Sequence, residues 1–269
     1  MNFLSPSIVP RTQISSYVNF LVPLIAIVLT LLTGSLIFSL LGFNPIHSLY
    51  TFFISPISSL YGFSELLVKA TPLALIAIGL SYCFKNNIYN IGAEGQLIMG
   101  AIFGGGVAIY FYNVEGFWLL PLMLLAGVIG GSLWALIPAL LKTKFNTNEI
   151  LTSLMLVYVA TFILDYLVVG PWKDPSGFSY PKSRPFNESA RMPELFDGLR
   201  VHFGLIITLF LIFISWFIFS KTIFGFQLKV SGLSIKAARF AGFNQNKLII
   251  SAFIICGGFA GLAGLGEVS

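Results

Sequence analysis

Chemistry needs polar and ionisable side chains in register, and this chain has few. Ten acidic residues, two histidines and two cysteines are spread over 269 positions. No G-x-S-x-G, H-E-x-x-H or metal-spaced histidine pair occurs. Neither does the G-x-x-x-x-G-K-[ST] loop that cradles ATP phosphates. Cys83 and Cys256 each lie in an apolar run without paired spacing, which reads as two buried thiols. His47 and His202 fall at predicted outer ends of apolar runs. These patterns argue against an enzyme and offer no cofactor or metal site.

Three polar features remain. Residues 221–247 read KTIFGFQLKVSGLSIKAARFAGFNQNK, with five basic residues and no acidic one. Within them Ser234 can cap a short helix over 235–241, and Gly242 can take the left-handed turn that ends it. A short basic helix with small residues on its surface suits docking to another protein. Residues 85–96 read KNNIYNIGAEGQ. There Asn90 is predicted to cap the next helix, with Glu94 in a first turn where the helix dipole favours a carboxylate. Asn90, Glu94 and Gln96 form either a cytoplasm-facing gate or a solvated helix start. Asp165 lies within an apolar run, where an ionisable group is a functional candidate, but near enough to its outer end for interfacial exposure to explain it. The Asn187-Glu188-Ser189 tripeptide fits a glycosylation acceptor, a pattern short enough to arise by chance.

The elements that must position these residues follow from composition. The chain is 57% hydrophobic and 9% charged, with mean hydropathy +0.90, whereas soluble domains carry about 25% charged residues. Long unbroken apolar runs exclude the alternating strands of a transmembrane barrel. The fold class is an all-α polytopic transmembrane bundle forming one domain over 1–269. Seven spans are predicted, at 18–43, 65–84, 97–112, 117–141, 150–169, 201–220 and 248–266. The first is too long for a signal-peptide core and reads as a retained span. Residues 44–64 are predicted as an outer loop. Lys69 is expected to snorkel to the interface, and Pro72 to kink its helix or delay its start. Glycine pairs 100/104, 127/131 and 257/261 have the four-residue spacing that lets helix backbones approach in lipid.

The net charge of +5 gathers at the ends of apolar runs, which argues against nucleic-acid binding. Basic residues are retained on the cytoplasmic side during insertion. With 221–247 inside, strict alternation puts Arg11 and the N-terminus, Lys85, Lys142 and Lys144 inside as well. The short outer loops then hold no Lys or Arg. The outer segment 170–200 holds five, and long segments translocate largely regardless of charge.

Three ordered segments resemble the permease subunits of bacterial ATP-binding-cassette importers. The likeness is to the branched-chain and simple-sugar type, in the branch that handles nucleosides and sugars such as ribose. YNIGAEGQ at 89–96 is similar to that branch's FNIGAEGQ. NEILTSLMLVYVA at 148–160 resembles its NE-initiated helix, which places Asn148 and Glu149 beside Asn90, Glu94, Gln96 and Asp165 as candidate path or gate residues. GLSIKAARFAG at 232–242, followed by a glycine-rich span, resembles its coupling segment. Two departures stand out: Leu233-Ser234-Ile235 replaces Glu-Asn-Pro, and Val157 replaces an Asn.

The resemblance implies a non-catalytic subunit in a bacterial cytoplasmic membrane, surrounded by lipid. Its partners would be a second permease, an extracytoplasmic substrate-binding protein and a separate ATPase that binds the ATP. Ser234 would start the coupling helix, Ala237, Ala238 and Gly242 would fit the ATPase groove, and Arg239 would meet an acidic residue there. Relatives continue beyond the position of Ser269, so a truncated chain is expected. The alternative is a self-sufficient secondary transporter, which needs coupling charges deep in the bundle; Asp165 is the one candidate.

Overall fold

A computed structural model describes residues 16–177, 181–196 and 198–269, leaving out the side chains of Ser16 and Asn19. Arg11, and with it the predicted cytoplasmic tail, lies outside the described residues. The chain divides into two compact units, Met1–Phe63 and Ser64–Ser269.

In the first unit, α1 (Ser16–Leu40) is apolar on every face, and none of its membrane-length window is buried. Residues 44–64, expected to be a loop, are largely helical: α2 (Pro45–Phe53) and α3 (Ser55–Ser58) occupy them, and α4 (Leu60–Lys85) starts there. The starting signals are local. Asn44 accepts from the backbone N–H of Ile46 at 3.1 Å and of His47 at 3.2 Å, and Pro45 sits where a missing N–H costs nothing.

The second unit holds most of α4, then α5 (Ala93–Tyr110), α6 (Leu119–Phe145), α7 (Glu149–Val169), α8 (Gly204–Lys221), α9 (Ile223–Leu233), α10 (Ile235–Phe240) and α11 (Gln245–Val268). Among the described residues, six helices are long and apolar enough to cross a membrane: the stretch Phe20–Leu40 of α1, and α4, α6, α7, α8 and α11. The chain is a multi-pass helical membrane protein. The helix over the predicted third span of 97–112 starts earlier, at Ala93, and its polar first turn Ala93–Gln96 lowers its mean hydropathy below that of the other six. Pro72 does not delay α4, which begins well before it and runs through.

The core of this unit is α11, α6 and α5 packed backbone to backbone. Two thirds (67%) of the α11 apolar window is buried. All three predicted glycine pairs meet here. A Cβ on Gly131 would lie 2.7 Å from Gly261 Cα and against Gly257 O, and one on Gly100 would strike Gly261. Gly264 is pressed against the Leu97 carbonyl in the same way. In lipid, where water does not drive helices together, such close approach supplies the packing.

The described residues of the segment 170–203 lie over one end of this core. Trp172 and Phe186 cover Gly106 and Gly105, and Ala190, Met192 and Val201 are buried. The Asn187 amide donates to the carbonyls of Tyr112 at 3.2 Å and Val114 at 3.3 Å, so it ties the segment down. Asp174 Oδ1 accepts from the Ser176 hydroxyl at 2.7 Å and its N–H at 2.9 Å, which holds the carboxyl below its ordinary range. Lys69 pairs with Glu267 at 2.7 Å rather than simply snorkelling.

Candidate functional site

The opposite, basic end of the second unit carries the short helices. Thr222 caps α9 by accepting from Gly225 N–H at 3.2 Å. Gly225 and Gly232 bring α9 against the backbones of Ile218 and Lys85, at the ends of α8 and α4. Leu228 and Ser231 are buried beneath it, and the Ser231 hydroxyl donates to Gln245 Oε1 at 2.8 Å. The sequence reading missed α9, because its apolar and polar residues lack a clean helical period.

α10 starts and stops as the sequence predicts. Ser234 Oγ accepts from Ala237 N–H at 3.3 Å. Gly242 takes φ +78°, Phe243 N–H reaches Ala238 O at 2.9 Å, and Gly242 N–H reaches Arg239 O at 3.0 Å, closing a Schellman turn. Ala238 departs from its expected role: it is wholly buried and faces its own bundle, so it offers nothing to a groove on a partner. Ser234, Ala237, Arg239 and Gly242 are exposed. Phe240, which sequence reasoning passed over in favour of small and basic residues, is 97% exposed. Its signal was there: a large apolar side chain between Arg239 and the Gly242 stop, outside every span.

Asn148 and Glu149 sit at the turn between α6 and α7, and Glu149 shares a cavity with Arg239 of α10. Asn148 Oδ1 accepts from Ile150 N–H at 2.9 Å and so caps α7, while Glu149 pairs with Lys142 at 2.8 Å. Glu149, Lys142 and Arg239 line one cavity of about 470 Å³.

Deeper, Asn90 and Gln96 form a reciprocal amide pair. Asn90 Nδ2 donates to Gln96 Oε1 at 3.1 Å, and Gln96 Nε2 donates to Asn90 Oδ1 at 3.3 Å. Both are buried. Asn90 Nδ2 also reaches Cys256 Sγ at 3.2 Å, and Asn90 Oδ1 accepts from Gly92 N–H at 2.9 Å. The predicted capping role of Asn90 is corrected, since Gly92 occupies the N-cap of α5 without a side-chain bond. The Asn90 carbonyl is instead spent on the turn itself and on Gln96. Ser153 of α7 accepts from Ile91 N–H at 3.1 Å, and a Cβ on Gly92 would meet Ser153 at 2.9 Å, which fixes the turn to that helix. Cys83 and Cys256, far apart in sequence, are interacting buried neighbours. Glu94 and Asp165 are exposed and join neither cluster.

The candidates thus divide between a buried amide pair and an exposed short helix at the basic end, and nothing among the described residues gathers three metal-ligating side chains. Residues 62–268 match the family described as the branched-chain amino acid transport system permease component. The glucose ABC transporter permease protein of Haloferax volcanii is 33% identical, over 97% of this chain and 70% of its own. The guanosine ABC transporter permease protein of Bacillus subtilis is 32% identical over 93% and 72%. The nucleoside ABC transporter permease protein of Lactococcus lactis is 31% identical over 91% and 69%. No solved structure matches. With six apolar helices, a glycine-packed core and an exposed short helix at its basic end, the chain belongs to this family of transport permeases and is an ABC transporter permease subunit, not an enzyme.

Proposed function

We propose that the chain imports a nucleoside across the cytoplasmic membrane, as one of a pair of permeases driven by a separate ATPase. The basic end is then the cytoplasmic one, because Lys85, Lys142, Lys144, Lys221, Lys229, Lys236, Arg239 and Lys247 cluster there. The N-terminus and the whole chain, taken as one permease domain, follow that orientation. The ATPase binds the ATP, and this chain holds no cofactor of its own.

The observation that carries the reading is α10: a helix capped at both ends by its own sequence, presenting Phe240 and Arg239 outward. Phe240 enters an apolar pocket on the motor and Arg239 meets an acidic side chain there. An apolar anchor flanked by charge is the composition of an interface hot spot. The segment 170–200 faces outward and receives substrate from a binding protein. Asn90, Gln96 and Ser153 hold the turn at which α5 enters the bundle, and this turn serves as the hinge or gate.

Nucleoside is preferred over sugar because two of the three relatives above are named for guanosine or nucleosides and the NIGAEGQ segment resembles that branch. A secondary transporter is disfavoured, since among the described residues no Asp or Glu within a span is buried. The test is uptake of guanosine into proteoliposomes containing the permease pair and its ATPase. Uptake is expected to require ATP and to be lost in Arg239→Glu while the protein stays folded. Uptake that follows a proton gradient without ATP overturns the reading.

A further inference from the structure

The neighbours of α9 set it at a definite depth. α8 has 18 residues, so it is about 27 Å long and crosses a hydrocarbon core of about 30 Å almost from end to end. Lys221 therefore stands at headgroup level, and Thr222 alone separates it from Ile223, the first residue of α9. α9 then stays against the bundle. Near its start a Cβ on Gly225 would strike Ile218 O and lie 2.7 Å from Phe219 Cα, in the last turn of α8. Near its end one on Gly232 would strike Lys85 O and lie 3.2 Å from Asn87 N, at the close of α4. Those two span ends are side by side, since Lys85 Nζ lies 4.6 Å from the centre of the Phe219 ring. A helix held at both ends by the closing turns of two neighbouring spans lies across them, along the membrane surface.

The outer side of α9 is unlike that of a helix in water. Gly225, Leu228 and Ser231 are buried. On another side Ile223, Phe226, Val230 and Leu233 recur at i, i+3, i+7 and i+10, the spacing of a single helix face. Ile223 is 75%, Phe226 58% and Leu233 79% exposed. Apolar side chains that point both inward and outward are the reason α9 lacks a clean period. Lys229, one turn from Phe226 and from Leu233, flanks the stripe and is exposed. Neither Lys229 nor Lys221 forms an ion pair among the described residues, and 221–247 contains no acidic residue.

Apolar side chains at headgroup depth with lysines beside them are the pattern of an interfacial helix, whose apolar side enters the acyl boundary while the lysines reach the phosphates. We propose that the outer side of α9 binds anionic phospholipid, with Ile223, Phe226 and Leu233 among the acyl chains and Lys221 and Lys229 on headgroup phosphates. Ser234 alone separates α9 from α10, so the lipid steadies the support from which α10 projects.

Spin labels on Ile223→Cys and Leu233→Cys test the depth, since Cys83 and Cys256 are buried and shielded from the label. The permease pair is placed in nanodiscs with and without its ATPase. Both labels are expected to be reached by oxygen, which concentrates in lipid, and shielded from a water-soluble nickel chelate, whether or not the ATPase is bound. Nickel access at either position overturns the placement. Nickel access that only the ATPase removes assigns the stripe to the motor and overturns it as well. Displacement of spin-labelled phosphatidylglycerol by unlabelled phosphatidylglycerol or phosphatidylcholine then measures headgroup preference. Lys221→Gln and Lys229→Gln are each expected to lower the preference for the anionic lipid about fivefold, equivalent to about 1 kcal/mol. No preference in the wild type, or an unchanged preference in the double variant, overturns the anionic lipid. Neither readout depends on which solute is carried, so a failure of guanosine uptake leaves this site standing, and the reverse.

Discussion

Gly131 and Phe240 show two opposite uses of a residue in one bundle. The atoms nearest a Cβ on Gly131 are all backbone, from Gly257 and Gly261, and Gly100 meets Gly261 in the same way, so three helices touch through their backbones. At Phe240 a whole ring stands clear of the protein. The first arrangement makes α5, α6 and α11 a stiff body. The second leaves α10, held mainly by its two caps and by Ala238, as a handle on that body. On the proposed coupling, the difference says where work would enter: α10 packs on α9 and on α11, so a force on it would pass to helices whose backbones interlock at their glycines.

The comparison breaks most visibly if the core tolerates bulk. Gly131→Val places carbon atoms inside the Gly257 and Gly261 backbones and is expected to destabilise by about 3 kcal/mol, typical of severe overpacking. Fluorescence-detected size exclusion should show loss of the monodisperse peak, while Phe240→Ala leaves that peak unchanged. Wild-type behaviour from Gly131→Val would mean that the helices are not locked.

The amide pair sharpens the same contrast, being a polar contact inside the stiff body. Asn90→Ala strands the Gln96 amide and is expected to cost about 1–3 kcal/mol. Adding Gln96→Leu should then cost less than its single effect, because the stranded group has gone. Thermal unfolding of the single and double variants measures this, and strict additivity would show that the two amides do not act together.

The smallest effect lies at the far end, under the 170–203 segment. Burial lowers the pKa of His202, partly opposed by Glu267. A depressed histidine favours the neutral form in the fold, so its contribution is complete above the ordinary value near 6.5. It is lost as the pH falls through the depressed value. Stability measured between pH 7.5 and pH 5 should decline slightly in the wild type and less in His202→Gln. The basic face, which contains no histidine between 221 and 247, should not respond in that window.

Much of this was legible in the sequence because the signals are local. The glycine spacings fixed which helix faces meet, and Ser234 with Gly242 fixed the limits of α10. The misses share a cause, since they depend on what lies across space. Ala238 looks like surface beside Ala237, yet helical rotation turns it inward. Asn90 sits where a cap is expected, but Gln96 offers its amide a better partner one turn later. Cys83 and Cys256 meet only because α4 and α11 run side by side. Trp172 and Phe186 cover glycines of α5, a fit invisible in a polar, proline-rich string.

The central claim is that α10 faces the cytoplasm and meets the motor. Because Cys83 and Cys256 are buried, a single new thiol at Phe240→Cys can be labelled selectively with a membrane-impermeant maleimide. The account predicts labelling only from the cytoplasmic side, and protection once the ATPase is bound. Labelling from outside the cell, or equal labelling with and without the ATPase, would contradict it.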